Sequence, residues 1–322
     1  MKQSIAKKPG KYTTIPGRKI GKNNLLLKLQ DGKYLLLMVL PAVVFYILFK
    51  YVPMWGVLIS FQRYSPFKGF WGSPWVGLQQ FEIFFSSPFW WRSVRNTLLL
   101  SIYSTLWSFP APILFALVLN DVKNYKFKKL AQTISYMPHF LSTVVVVGLF
   151  YMFLSPNTGP VQKLIVAMGG TKSDLFAQAK YFRTLFISSG IWQSTGWGAI
   201  IYLAALTNID PTLYESATID GANKFQQLIY ITIPSIIPTI VIMLLLRLGH
   251  ILGVGFEKAF LLQNDANHDT SDVLETLVYR TGIAGGNYSY GTAIGLMTSV
   301  VNLCLLFIFN GISRKISETS LW

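Results

Sequence analysis

Charge is scarce in this chain. Asp, Glu, Lys and Arg make up 13% of its 322 residues, about half the share typical of soluble domains. Acidic residues are the scarcer kind, 13 against 28 Lys and Arg. That shortage excludes an ordinary soluble domain and points to a chain that crosses a membrane several times. Cysteine is nearly absent. Cys304 is the single one, so there is no internal disulfide and no Cys-x-x-Cys centre. It reads as a small apolar residue of the last apolar run. The three histidines, His139, His250 and His268, are too far apart for metal-ligand spacing. No metal site is expected. The phosphate-cradling pattern G-x-x-x-x-G-K-[ST] does not occur. Neither does a Ser/His/Asp or Cys/His grouping, nor a pair of carboxylates flanking a cleft. No catalytic residue is nominated, and the chain is not expected to be an enzyme.

Long apolar runs are abundant instead, in a sequence that is 52% hydrophobic. A helical span needs about 20 mostly apolar residues. Six runs qualify: 34–60, 96–119, 133–154, 184–206, 229–248 and 291–312. The fourth is the least apolar and the richest in glycine. Helices are expected throughout, because a barrel would show short segments of alternating polarity. The expected fold class is therefore an all-α integral membrane protein with six transmembrane helices.

The net charge of +15 does not make nucleic acid an expected partner, because the bases are not gathered on a soluble face. Nine of them, Lys2 to Lys33, precede the first run, where a basic leader sets orientation in the bilayer. The segment 1–33 is longer than the basic region of a signal peptide, and no small-x-small cleavage pattern follows the first run, so that span is expected to be retained. With the N-terminus inside, the segments 1–33, 121–132, 207–228 and 313–322 carry sixteen basic residues over 77 positions. The segments 61–95, 155–183 and 249–290 carry ten over 106. The excess places both termini in the cytoplasm. The expected organisation is a basic leader 1–33, a first span 34–60, an outside loop 61–95, a core 96–312 and a tail 313–322.

The outside loops have their own chemistry. Trp71, Trp75, Trp90 and Trp91 suit the headgroup region, with a sugar-stacking platform as the sharper alternative. The stretch 257–280 holds Glu257, Asp265, Asp269, Asp272 and Glu275 and is expected to be a solvated loop or surface helix.

Between the fourth and fifth runs lies "NIDPTLYESATIDGANKFQQLIYITIP". Asp210 suits an N-cap and Pro211 the first helical turn. Asp220–Gly221 signals a turn needing positive φ. A second helix should then feed the fifth span, bent near its start by Pro234 and Pro238. A helix this short is marginal in water by itself and needs something to pack against. An amphipathic interfacial helix with no partner is the plainer alternative.

This loop, 210–234, resembles the EAA loop of ABC importer permeases. Glu215-Ser216-Ala217, three residues, Gly221, nine residues, and Ile231-Thr232-Ile233-Pro234 keep that family's spacing, with Ser216 and Ile233 as departures. Asp220-Gly221-Ala222 resembles the extension found in the sugar-importing branch. "VGLQQFEIFF" (76–85), "RNTLLLS" (95–101) and "YGTAIGLM" (290–297) extend the likeness over most of 34–315, closest to the oligo- and polysaccharide type. The resemblance implies a type I ABC importer permease fold with a cytoplasmic coupling helix, in a bacterial plasma membrane. Tyr214, Glu215, Ala217, Asp220, Gly221 and Ala222 would form the coupling surface. It also implies a second homologous permease, two ATPase subunits that use ATP and Mg, an extracytoplasmic solute-binding protein and a carbohydrate substrate. The chain itself would bind no cofactor.

An ion-coupled secondary transporter is the alternative. Such carriers place carboxylates at mid-membrane, and none of the six runs contains Asp or Glu. Lys50 and Arg247 are expected to reach towards the outer interface. A sugar path needs aromatic faces and hydrogen-bonding groups inside the bundle. Tyr103, Trp107 and Tyr202 are candidates, and the preferred set is Trp192, Gln193, Trp197, Tyr151 and Asn302. Gly291 and Gly295 are expected to allow close helix approach.

Overall fold

The computed structural model describes residues 33–317. Residues 1–32 and 318–322, and with them nearly all of the basic leader and the end of the tail, lie outside the described residues. The chain divides into two compact units, 1–56 and 57–322.

The described part of the first unit is helix α1 (Lys33–Tyr46), continued by a wider turn at Ile47–Tyr51. None of its described side chains between Tyr34 and Trp55 is buried, Lys50 included. A helix apolar on every side is one that faces lipid or another protein chain.

The second unit is built on helices α2 (Gln79–Ser86), α3 (Trp90–Ser108), α4 (Pro110–Asp121), α5 (Tyr125–Tyr136), α6 (Thr143–Leu154), α7 (Pro160–Ala167) and α8 (Ala179–Thr207). After α8 come α9 (Pro211–Ile219), α10 (Lys224–Gln227), α11 (Ile233–Leu248), α12 (Phe256–Leu262), α13 (His268–Ser271), α14 (Leu274–Leu277) and α15 (Tyr288–Ser317). Among the described residues, pairing of extended backbone is limited to one antiparallel bridge, Gln62 to Trp75.

Among the described residues, four helical stretches are long and apolar enough to cross a membrane: Leu36–Phe61, Trp90–Asp121, Lys224–Leu248 and Tyr288–Lys315. The expected third span, 133–154, is not one helix. Tyr125–Phe140 and Thr143–Leu154 meet at a bend of 104°. Pro138 precedes the break, and Ser142 caps the second half by accepting from the Val145 amide. Backbone groups freed at membrane depth need a new partner. Gln193 supplies one, its Nε2 donating to the Leu141 carbonyl at 3.0 Å. The expected fourth span lies within α8, which at 29 residues is long enough to cross but does not pass as a span on hydropathy.

Helix α8 is the hub of the second unit. Its N-terminal half packs Phe182, Leu185 and Phe186 against Leu100 of α3, Val147 of α6 and Leu262 of α12. Its C-terminal half packs Ala199, Tyr202 and Leu206 against Leu119 of α4 and Ile236 of α11. Gly196 touches the Ser135 backbone of α5 so closely that a Cβ there would collide with it.

The stretch 257–280 is not a solvated loop. Its Val273, Leu274 and Leu277 are buried. The Asp272 side chain is 0% exposed and takes Arg92 at 2.8 Å and Arg280 at 3.0 Å. A buried carboxylate requires such pairing. Of the two glycines expected to allow close approach, Gly291 does so against Gly282, while a Cβ at Gly295 would meet nothing within 4 Å.

Candidate coupling loop and central cavity

The loop between α8 and α11 is shaped by local chemistry. The Asp210 carboxylate accepts from the Thr212 amide at 2.9 Å and caps α9. Bonds from the Thr212 amide and hydroxyl hold the Asp210 carboxyl below its ordinary range. Gly221 sits at φ +81° and ends α9 in a Schellman turn. The Ala222 amide donates to the Ala217 carbonyl at 2.8 Å, and the Gly221 amide to the Thr218 carbonyl at 3.1 Å. Asn223 then starts α10 with a capping box, exchanging bonds of 2.9 and 2.8 Å with Gln226.

Two struts brace this hairpin. The Tyr214 hydroxyl meets Thr232 Oγ1 at 2.9 Å, and Gln227 Nε2 donates to Thr218 Oγ1 at 2.9 Å. Tyr214, Ala217 and Ala222 are thus partly covered, whereas Glu215, Asp220 and Gly221 are exposed. Sequence reading missed the apolar residues beside them. Ile219 is 87% exposed and Phe225 67%, on a short hairpin with no interior of its own. Apolar exposure of that kind marks a surface for contact.

A cavity of 690 Å³ lies between α3, α4, α8, α11 and α12. Helix α8 lines it with Gly190, Ser194, Gly198 and Tyr202. These recur every fourth residue and so share one face. The expected set does not converge there. Trp192 lies against Phe150 in a separate apolar groove. Gln193 is spent on the Leu141 carbonyl. Trp197 stacks on the His139 ring at 4.6 Å, and Tyr151 on Phe176 at 3.8 Å. Asn302 Oδ1 accepts from the Leu252 amide at 3.1 Å. None of them lines the cavity, and Gln193 and Asn302 already have partners. Of the wider candidates, Tyr202 lines the cavity, and Tyr103 and Trp107 line a neighbouring groove of 520 Å³. The legible signal was the period of four in small and hydroxyl residues, not the aromatic content.

Arg247 turns inward, away from the interface expected for it. Its Nη2 donates to Ser104 Oγ at 2.8 Å and its Nε to Thr105 Oγ1 at 3.1 Å, joining α11 to α3 at the cavity wall. A guanidinium at membrane depth is stable only with such partners. Lys258 of α12 reaches the cavity from the other side, its ammonium 5.4 Å from the Phe186 ring centre. Burial lowers the Lys258 amine from 10.5 to about 8. Nearby, Glu275 accepts from the Gly255 amide at 2.9 Å, and burial holds its carboxyl above the ordinary range.

An apolar helical bundle with a broken span, a cavity rimmed by hydroxyls and cations, and a capped hairpin outside the bundle is the build of a membrane transport permease. The chain belongs to the family described as the binding-protein-dependent transport system inner membrane component, which matches residues 90–318. It is a membrane-embedded transport subunit and not an enzyme. It is 42% identical over 322 residues to the polygalacturonan/rhamnogalacturonan transport system permease protein YteP of Bacillus subtilis, covering 100% of both chains. It is also 42% identical over 294 residues to protein LplB of Bacillus subtilis, 91% of this chain and 92% of that one. Its fold matches a chain in the crystal structure of a bacterial alginate ABC transporter in complex with alginate pentasaccharide-bound periplasmic protein. The TM-score is 0.86 at 40% identity, over 93% of this chain and 100% of that one.

Proposed function

We propose that this chain is a permease subunit of an ATP-driven importer of an oligo- or polysaccharide. It pairs with a second homologous permease and two ATPase subunits, and receives its sugar from an extracytoplasmic solute-binding protein. ATP and Mg are used by the ATPases; this chain holds no cofactor. The leader 1–33, the loop 210–234 and the tail 313–322 face the cytoplasm, and the loop 61–95 faces outward. The core 96–312 carries the sugar path.

The observation that carries this reading is the capped hairpin α9–α10. Ile219 and Phe225 stand exposed beside Glu215, Asp220 and Gly221, on a rod that Tyr214 fastens to the foot of α11. A short braced helix can pass rigid-body motion from one protein to another. Ala217 and Ala222 leave room for close approach, and Glu215 offers a charge to a basic partner. ATP binding draws the two ATPases together, moves the rods and opens the permeases outward; hydrolysis resets them. The relatives named for polygalacturonan/rhamnogalacturonan and for alginate support a polysaccharide-derived cargo.

The test is reconstitution of the complete assembly in vesicles. Labelled oligosaccharide should accumulate only with ATP, and sugar-loaded binding protein should stimulate hydrolysis. With Cys304→Ser as background, Ser216→Cys should react with a membrane-impermeant maleimide from the cytoplasmic side only. Labelling from the opposite side would end the proposal.

A further inference from the structure

We infer that the central cavity is built to hold a carboxylated sugar, with Lys258 and Arg247 as the groups that recognise the carboxylate. This rests on the oligosaccharide-import reading and narrows its substrate to a uronic-acid oligomer.

The charges that line the cavity do not balance. Two cations, Arg247 and Lys258, line a cavity whose single carboxylate is Glu257. The Arg247 guanidinium spends two of its donors on Ser104 and Thr105. Those bonds are to neutral hydroxyls and leave its charge uncompensated. Among the described residues no carboxylate lies within salt-bridge distance of Lys258. Its ammonium sits instead over the Phe186 ring and beside Gly190, where an added Cβ would come within 3.3 Å of Nζ. A sequestered cation without a counter-ion is costly unless something anionic arrives. The burial that lowers the Lys258 amine to about 8 reflects the same cost.

The surroundings suit a sugar rather than a bare anion. Ser194, Thr195 and Tyr202 offer hydroxyl partners along one wall. The neighbouring groove shares Ile187 and Ile191 with the cavity and adds the rings of Tyr103 and Trp107. Lys180 and Arg183 line that groove, and no carboxylate does. Arg183 Nε is buried without a hydrogen-bond partner. Cations, aromatic faces and hydroxyls in two adjoining spaces match a chain of carboxylated pyranose rings: ring faces stack, hydroxyls exchange hydrogen bonds, and carboxylates meet the cations.

The experiment uses the complete transporter in nanodiscs, without binding protein, titrated with fluorescent trigalacturonate and with its fully methyl-esterified form. A charge-assisted contact is worth about tenfold in affinity, so the acid should bind about tenfold tighter than the ester. Lys258→Met should remove most of that preference and Lys258→Arg should restore it. Equal binding of acid and ester, or a preference unchanged in Lys258→Met, overturns the carboxylate assignment and leaves oligosaccharide import standing. Binding of neither probe overturns it as well. If uptake of every oligosaccharide tried is also absent once binding protein is added, the import reading falls with it.

Discussion

Arg92 of α3 donates to the buried Asp272 carboxylate at 2.8 Å, across 180 residues of sequence. Arg280 closes on the same carboxylate from the far side at 3.0 and 3.2 Å, and Asn96 donates to the Asp272 carbonyl at 3.2 Å. Together they pin the segment before α14 onto the N-terminal end of α3. The wall of the central cavity that α12 provides is continuous in sequence with this clamp.

Removing the carboxylate should be expensive. Asp272→Asn leaves two cations facing a neutral amide, and breaking a buried pair costs about 3 kcal/mol at the low end. The low end applies because the side chains of Arg92 and Arg280 are 29% and 39% exposed. Thermal unfolding of the detergent-solubilised complex should shift accordingly. A melt unchanged from wild type would show that the pair contributes nothing net.

The α9–α10 turn depends on backbone conformation rather than on space. At Gly221 an added Cβ would meet nothing within 4 Å, but φ is +81°. An L residue there costs about 1–2 kcal/mol. Gly221→Ala and Gly221→Val should therefore both weaken stimulation of ATP hydrolysis by sugar-loaded binding protein, and Ala should already cause much of the loss. Full stimulation in Gly221→Val would remove this turn from the coupling pathway.

Gln193 bonds to the broken span and does not line the central cavity. Gln193→Leu strands the Leu141 carbonyl, with a cost of about 1–3 kcal/mol. Stability should fall, while the affinity for oligosaccharide stays as it was in the protein that folds. Lost affinity without lost stability would return Gln193 to the sugar path.

The Lys258 amine, held at about 8 against an ordinary 10.5, gives a pH signature. Arg247 of α11 and Tyr202 of α8 line the same cavity, and Glu257 precedes Lys258 on α12. Binding of a carboxylated oligosaccharide should weaken as pH rises through about 8, because the ammonium is lost there. Lys258→Arg should flatten that profile, since a guanidinium stays charged. The sign for stability is opposite. The folded state disfavours the proton, so this group's contribution to stability rises with pH between about 8 and 10.5. A flat binding profile in the wild type would count against Lys258.

The capped hairpin was legible because its determinants are nearest neighbours. Asp210, Pro211, Gly221 and Asn223 shape it through bonds of two to five residues' reach. The broken third span was less legible. Pro138 and Ser142 are in plain view, but the partner that makes the break tolerable, Gln193, is 52 residues away.

From the sequence alone came the membrane class, the apolar runs, the absence of an ATPase motif and the capped loop. Each follows from composition or from contacts within one turn. Only the tertiary structure decided which face of α8 borders the cavity, that Arg247 turns inward and that Asp272 is buried. The physical reason is the solvent. Lipid is as apolar as a packed core, so hydrophobic periodicity does not mark the inner face of a span as it does in water. The polar residues that do mark it find partners 140 to 180 positions away.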